Sequence, residues 1–126
     1  MLNTKEAIAT VAVKDLKAAA VFYEGALGFE KAAVVDEELI TYRSGNSVFN
    51  VYRSKFAGTN RATAMTWVVG DQMEAVIAAL KIKGVVFEHY NHMPGMTRIG
   101  DIHSGGGMKV AWFKDPDGNI LTIVSG

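Results

Sequence analysis

Trp112-Phe113-Lys114-Asp115-Pro116-Asp117-Gly118-Asn119-Ile120-Leu121-Thr122-Ile123 reads as an apolar strand, a tight turn and a second apolar strand. Pro116 presets φ for the first half of a turn, Gly118 and Asn119 tolerate positive φ, and both flanks are rich in strand formers. A hairpin therefore follows from local sterics. Along its closing strand Ile120, Thr122 and Val124 share one face and Leu121 and Ile123 the other.

Upstream of this hairpin a pattern occurs twice. Residues 7–13 alternate, with Ala7, Ala9, Val11 and Val13 on one side, which predicts a strand. Asp15 is placed to cap a helix whose inward residues are Leu16, Ala19, Ala20, Tyr23 and Leu27, and Gly28 ends it. Short strands are expected at 29–35, 39–43 and 47–52, with turns at Asp36-Glu37-Glu38 and Ser44-Gly45-Asn46. Residues 53–63 read as a connection. The pattern then restarts: a strand at 64–69, Asp71 as cap, a helix over 73–83 with Val76, Ile77 and Leu80 inward, Gly84 as stop, and a strand at 85–90. Val13, Asp15 and Gly28 find their counterparts Val69, Asp71 and Gly84 at one common shift of 56 positions, the signature of a duplicated unit. The expected fold is α+β: two βαβββ repeats forming curved, half-barrel sheets with helices on the outer face, in one domain spanning 1–126. Repeat one covers about 5–53, a linker 54–63 and repeat two about 64–126.

Composition narrows the function classes. At 126 residues the chain is one domain's worth, and with 49% hydrophobic and 21% charged residues it has enough apolar material for a core. Thirteen basic and thirteen acidic residues cancel, so no basic field for nucleic acid is expected. The absence of Cys removes disulfides and thiolate chemistry and suits a reducing compartment. No run is long and apolar enough for a membrane span, and the first residues carry no apolar leader, so a cytoplasmic location is expected.

Three blocks are specific: Val11-Ala12-Val13-Lys14-Asp15-Leu16; Phe22-Tyr23 followed by Leu27-Gly28-Phe29; and Trp112-Phe113-Lys114-Asp115-Pro116-Asp117-Gly118-Asn119. Together they resemble the vicinal oxygen chelate superfamily of glyoxalase I, bleomycin-binding resistance proteins, fosfomycin-inactivating transferases and extradiol dioxygenases. The resemblance spans nearly the whole chain. It implies a divalent metal held by His or Gln on the first strand of each repeat and by a Glu shortly after the Asp-Pro-Asp-Gly-Asn turn. Those positions here are Ile8, Ala64 and Thr122, and the strand that supplies a fourth ligand offers Asn50. Ile and Ala have no donor atom and a neutral Thr hydroxyl is a poor one, so neither a metal nor another cofactor is expected.

Strand parity then enumerates a concave face. It holds Ile8, Thr10 and Ala12; Ala64, Thr66 and Val68; Ile120, Thr122 and Val124; and, by the resemblance to the transferase branch, Val48, Asn50 and Tyr52 with Val110 and Trp112. Aliphatics, hydroxyls, an amide and an indole suit a mostly apolar, neutral or weakly polar organic ligand fixed by a few hydrogen bonds. The ligand-binding candidates are therefore Ile8, Thr10, Val48, Asn50, Tyr52, Ala64, Thr66, Val110, Trp112 and Thr122. A face simply filled as core is the competing reading, and Trp112 is as well explained by packing as by ligand contact. Trp67 belongs to the core. The expected function is metal-independent sequestration or sensing of a small molecule, as in the bleomycin-resistance branch. The alternative is a glyoxalase-like lyase or isomerase, or another enzyme of the superfamily, with a non-standard site; no catalytic residue is singled out.

Three further features sit outside this scheme. His89, His92 and His103 read as surface loop histidines. The glycine-rich segment 90–107 reads as a flexible connector able to close over the cup, with Arg98 and Asp101 its charged groups nearest a ligand. Open sheet edges suggest a homodimer, whose partners are otherwise the small-molecule ligand alone, with no nucleic acid and no membrane.

Overall fold

The computed structural model describes residues 1–126 as ten strands and two helices in two open, curved sheets, an α+β arrangement of two βαβββ units. The units are Met1–Thr59 and Asn60–Gly126.

In the first unit, β1 (Ala9–Val13) leads into α1 (Leu16–Ala20), followed by β2 (Glu30–Val35), β3 (Leu39–Ser44) and β4 (Ser47–Arg53). The sheet order is β1-β4-β3-β2, with β1 parallel to β4 and the other pairs antiparallel. The Asp15 carboxylate accepts from the Lys17 N–H at 2.9 Å, as an N-cap should. The helix widens into a π turn over Val21–Ala26, where the Leu27 N–H reaches the Phe22 carbonyl, and Gly28 at φ +79° turns the chain away. Alternation then sorts the strands. Val11, Val13, Ile40, Tyr42, Phe49 and Val51 are buried under the helix residues Ala19 and Tyr23. The Tyr23 and Tyr42 rings stack at 5.9 Å, with Phe49 at 5.8 Å from Tyr23, and each such burial contributes about 1.5–3 kcal/mol. The Tyr42 hydroxyl donates to the Glu24 carboxylate at 2.8 Å. Burial, and then that carboxylate, hold the phenol's pKa well above its ordinary value.

The second unit runs β5 (Thr63–Val68), α2 (Met73–Ile82), β6 (Phe87–Glu88), β7 (Thr97–Ile99), β8 (Ile102–Gly105), β9 (Met108–Lys114) and β10 (Ile120–Val124). Its path is β5-β10-β9-β8-β7, with β6 also on β9, and β5 is parallel to β10 as β1 is to β4. Phe113, Leu121 and Phe87 form one buried row with Met65 beside it, and Ala111 and Ile123 pair in the next. Trp67, half-buried, stacks on Phe113 at 6.5 Å between ring centroids.

Several local expectations change. Asp71 does not cap α2: Gly70, at φ +59°, bends the chain into a 3-10 turn over Gly70–Gln72, so the helix starts beyond it. The strand expected at 85–90 shrinks to Phe87–Glu88, because the next residues leave the sheet. Segment 90–107 is not a free connector. It holds the β7–β8 hairpin, hydrogen-bonded onto β9 through the His103–Val110 to Gly105–Met108 pairs. In the hairpin that closes the chain, Gly118 takes φ +88° while Asn119 does not adopt positive φ. Asn119 acts through its side chain instead. The buried Asp115 carboxylate accepts from the Asp117 N–H at 3.0 Å, the Asn119 N–H at 2.9 Å and the Asn119 amide at 2.8 Å.

Candidate functional site

The strand β9 pairs with two different partners along one edge. Near its end Phe113 and Trp112 face Phe87 and Glu88 of β6; nearer its start Val110 faces His103 of β8. Residues 89–96 lie between these pairings in sequence and belong to no strand. An open pocket of about 700 Å³ lies there, walled by Tyr90, Asn91, His92 and Met93 from that loop, by Trp112, and by Thr63 and Ile120 at the starts of β5 and β10.

What sets the loop is His103, which is fully buried rather than on the surface. A sequence reading could not see this, because the residue lies in a strand that glycines on both sides disguise as a loop. Its Nε2 accepts from the Tyr90 N–H at 2.9 Å, so the ring is neutral there and carries its proton on Nδ1. Nδ1 approaches the Val110 backbone without reaching hydrogen-bond geometry. Burial, the largest cause, lowers the imidazole's pKa. A side chain thus replaces the ladder bond that Tyr90 loses on leaving the sheet. Trp112 meets both residues edge-on: centroids lie 4.8 Å from His103 at 80° and 5.3 Å from Tyr90 at 78°.

His89 stands at the pocket's border. Its ring N–H of Nε2 donates to Asp101 at 2.7 Å, and Lys81 reaches the other carboxylate oxygen at 2.8 Å. His89 first, then Lys81, hold the Asp101 carboxyl below its usual range, so it is ionised and keeps the proton on His89 Nε2. Nδ1 of a neutral His89 is then a lone-pair acceptor. Arg98 and Asp101, expected near a ligand, are otherwise engaged: Arg98 donates to Asn91 Oδ1 and the Gly100 carbonyl, both at 2.7 Å.

The ten candidates divide between the units. In the first, Thr10 pairs with Asn50 across β1 and β4, and the Asn50 amide oxygen accepts the Thr41 hydroxyl at 2.7 Å. Val48 and Tyr52 share that side of β4, and Ile8 lies half-exposed just before β1. In the second, Thr66, Thr122 and Trp112 form one cross-strand row, and Val110 lies two residues along β9 from Trp112. A bulge interrupts the alternation at Ala64: Ile120 pairs with Thr63 but Leu121 pairs with Met65. Thr63 therefore points its hydroxyl at Thr122, 3.2 Å away. Of the ten, Trp112 lines the 700 Å³ pocket; Tyr90, Asn91, His92 and Arg61 line it without having been singled out as binding residues. The break of alternation after Glu88, followed by Tyr-Asn-His, was the available signal.

The donor chemistry does not fit a divalent metal at the positions the resemblance implies. Ile8 and Ala64 have no donor, Asn50 Oδ1 and the Thr122 hydroxyl are hydrogen-bonded within the protein, and no three His, Asp or Glu residues are grouped to hold an ion.

No curated protein matches the sequence. Solved structures similar to it include a glyoxalase family protein from Enterococcus faecalis, 21% identical over 98% of this chain and 99% of that one, with a TM-score of 0.74. Oxidase ChaP-H2 is 22% identical over 97% and 94% at 0.68, and the fosfomycin resistance protein FosX from Mesorhizobium loti 12% over 96% and 91% at 0.66. At such identities they show the fold alone. The family described as the Glyoxalase/Bleomycin resistance protein/Dioxygenase superfamily matches residues 7–123. With that match across both βαβββ units, the chain belongs to the glyoxalase/bleomycin resistance protein/dioxygenase superfamily.

Proposed function

We propose that this protein binds a small, mostly apolar organic molecule without a metal ion, by sequestration or sensing in the manner of the bleomycin-resistance branch. The observation that carries the reading is the pocket walled by Trp112 and Tyr90, in a chain whose family metal positions are Ile8, Ala64 and Thr122. The protein acts as a cytoplasmic homodimer with the small molecule as its other partner, and binds neither nucleic acid nor membrane. No helix is long and apolar enough to cross a membrane.

The test is tryptophan fluorescence against a panel of small aromatic and aliphatic molecules, with elemental analysis of the purified protein. Saturable quenching by a panel member, unchanged by a chelator, is the expected result. A stoichiometric metal whose removal abolishes binding overturns the reading.

One observation favours an enzyme with a non-standard site, the alternative reading. The His89–Asp101 pair is an imidazole oriented by a carboxylate at a pocket border, an arrangement suited to proton transfer. Turnover of a hemithioacetal that disappears in His89→Gln supports that alternative; no turnover by the native protein removes it.

A further inference from the structure

The pocket's charge is one-sided although the chain's is balanced. Arg61 is the one Lys or Arg among its lining residues, and no Asp or Glu lines it. The nearest acids are already committed: Asp101 to His89 and Lys81, and Glu88 to Lys114 at 3.3 Å. Arg61 makes no ion pair with any acid in the protein. Asn91 is oriented as well. Its Oδ1 accepts from Arg98 Nε, which leaves the amide N–H groups as the unengaged end of a side chain that lines the pocket.

We propose that the pocket is selective for an aromatic carboxylate. The ring lies against Trp112 and Tyr90, and the carboxylate is gripped by the Arg61 guanidinium with the Asn91 amide as second donor. This rests on the small-molecule reading above and gives its ligand a charge, where the concave face alone suggested a neutral one. Three physical points support it. A guanidinium presents paired N–H donors that match the two oxygens of a carboxylate. Aromatic side chains meeting edge-on leave a ring face for a flat ligand. An anion entering here replaces no internal partner of Arg61, so none of its binding energy is spent on breaking an existing ion pair.

The experiment compares 2-naphthoate with 2-naphthamide, which share ring and size and differ in charge, by quenching of Trp112 in a Trp67→Phe background. Naphthoate is expected to bind roughly tenfold or more tightly than naphthamide, and Arg61→Gln to erase that preference by weakening naphthoate far more than naphthamide. Arg61→Lys, which keeps the charge and loses the paired donors, should fall between. Equal binding of the two probes, or a preference that survives Arg61→Gln, overturns the carboxylate proposal and leaves small-molecule binding standing. Quenching by neither probe overturns this proposal; quenching by no member of the wider panel removes the small-molecule reading beneath it as well.

Discussion

The two units share a topology and differ at one edge. In the first, β2 pairs with β3 from Glu30–Arg43 to Val35–Leu39, interrupted only by a bulge. In the second, the equivalent strand β6 keeps two residues on β9, the loop 89–96 leaves the sheet, and the β7–β8 hairpin takes over the rest of that edge. The first edge is an exposed strand; the second is a pocket with a buried histidine behind it. The pocket of the second unit therefore follows from a broken strand, whereas the open hollow of about 600 Å³ in the first is lined by α1 residues such as Leu16 and Ala20 and by Lys31 and Val34 of the continuous strand β2.

The hairpin turns test how unequal the units are, and the largest effect is expected there. In the second unit Asp115 is buried and accepts three hydrogen bonds across its turn. Asp115→Ala strands those donors and should cost about 3 kcal/mol in denaturant unfolding. The turn between β3 and β4 in the first unit relies on the exposed Ser47 hydroxyl donating to the Ser44 carbonyl at 2.8 Å. Ser47→Ala should cost less than about 0.5 kcal/mol. Equal costs would mean that the carboxylate network contributes nothing beyond backbone sterics.

Gly105→Ala comes next. A Cβ there would collide with the Gly95 carbonyl, so β8 presses directly on the loop that walls the pocket. We expect a loss of about 2 kcal/mol, and weaker probe binding as the loop is displaced. Retained stability with retained binding would show that the loop yields freely.

The units should also fail at opposite ends of the pH scale. His103, with its pKa lowered by burial, binds its proton more readily in the unfolded chain, so its contribution is complete above about pH 6.5 and is lost as pH falls through the native value. His103→Leu should remove the Tyr90 acceptor at a cost of about 1–2 kcal/mol at pH 7.5 and flatten the acid limb of the stability curve. Tyr42 has the reverse sign. Its pKa is raised, so its contribution is complete below about pH 10 and is lost as pH rises toward the native value. Tyr42→Phe should cost about 1 kcal/mol at pH 7.5 and blunt only the alkaline limb. An acid limb unchanged by His103→Leu would place the proton-sensitive group elsewhere.

The same asymmetry explains what the sequence could show. The first unit was legible nearly residue by residue, since Asp15, Gly28 and the alternation of Val11 and Val13 each act locally. The closing hairpin was legible too, because proline and glycine preset its turn. The pocket was not. His103 is buried by residues distant in sequence, the Ala64 bulge shifts a parity that counting assumes unbroken, and β7 and β8 are too short and glycine-flanked to show a period. Trp112 was found because it lies on a regular strand. Tyr90 and Asn91 were missed because their position depends on the strand ending, which local propensity does not encode.

The smallest effect expected concerns Asp101, and it separates positioning from stability. The carboxylate joins His89 and Lys81, both of which are largely exposed, so solvent screens the pairs and Asp101→Asn should cost less than about 1 kcal/mol. The depressed carboxyl pKa puts the loss of that small contribution at acid pH, below about 3.9. What should change clearly is the His89 ring. With an ionised acceptor on Nε2 the neutral imidazole holds its proton there, whereas an amide can turn its NH₂ toward the ring and accept either tautomer. Nitrogen chemical shifts of His89 should therefore move from a single Nε2–H form toward a mixture in Asp101→Asn, with the unfolding midpoint nearly unmoved. A ring that stays in one tautomer without the carboxylate would mean that the pocket wall itself, rather than Asp101, orients His89, and the contrast between a built edge and a plain one would then extend to the loop alone.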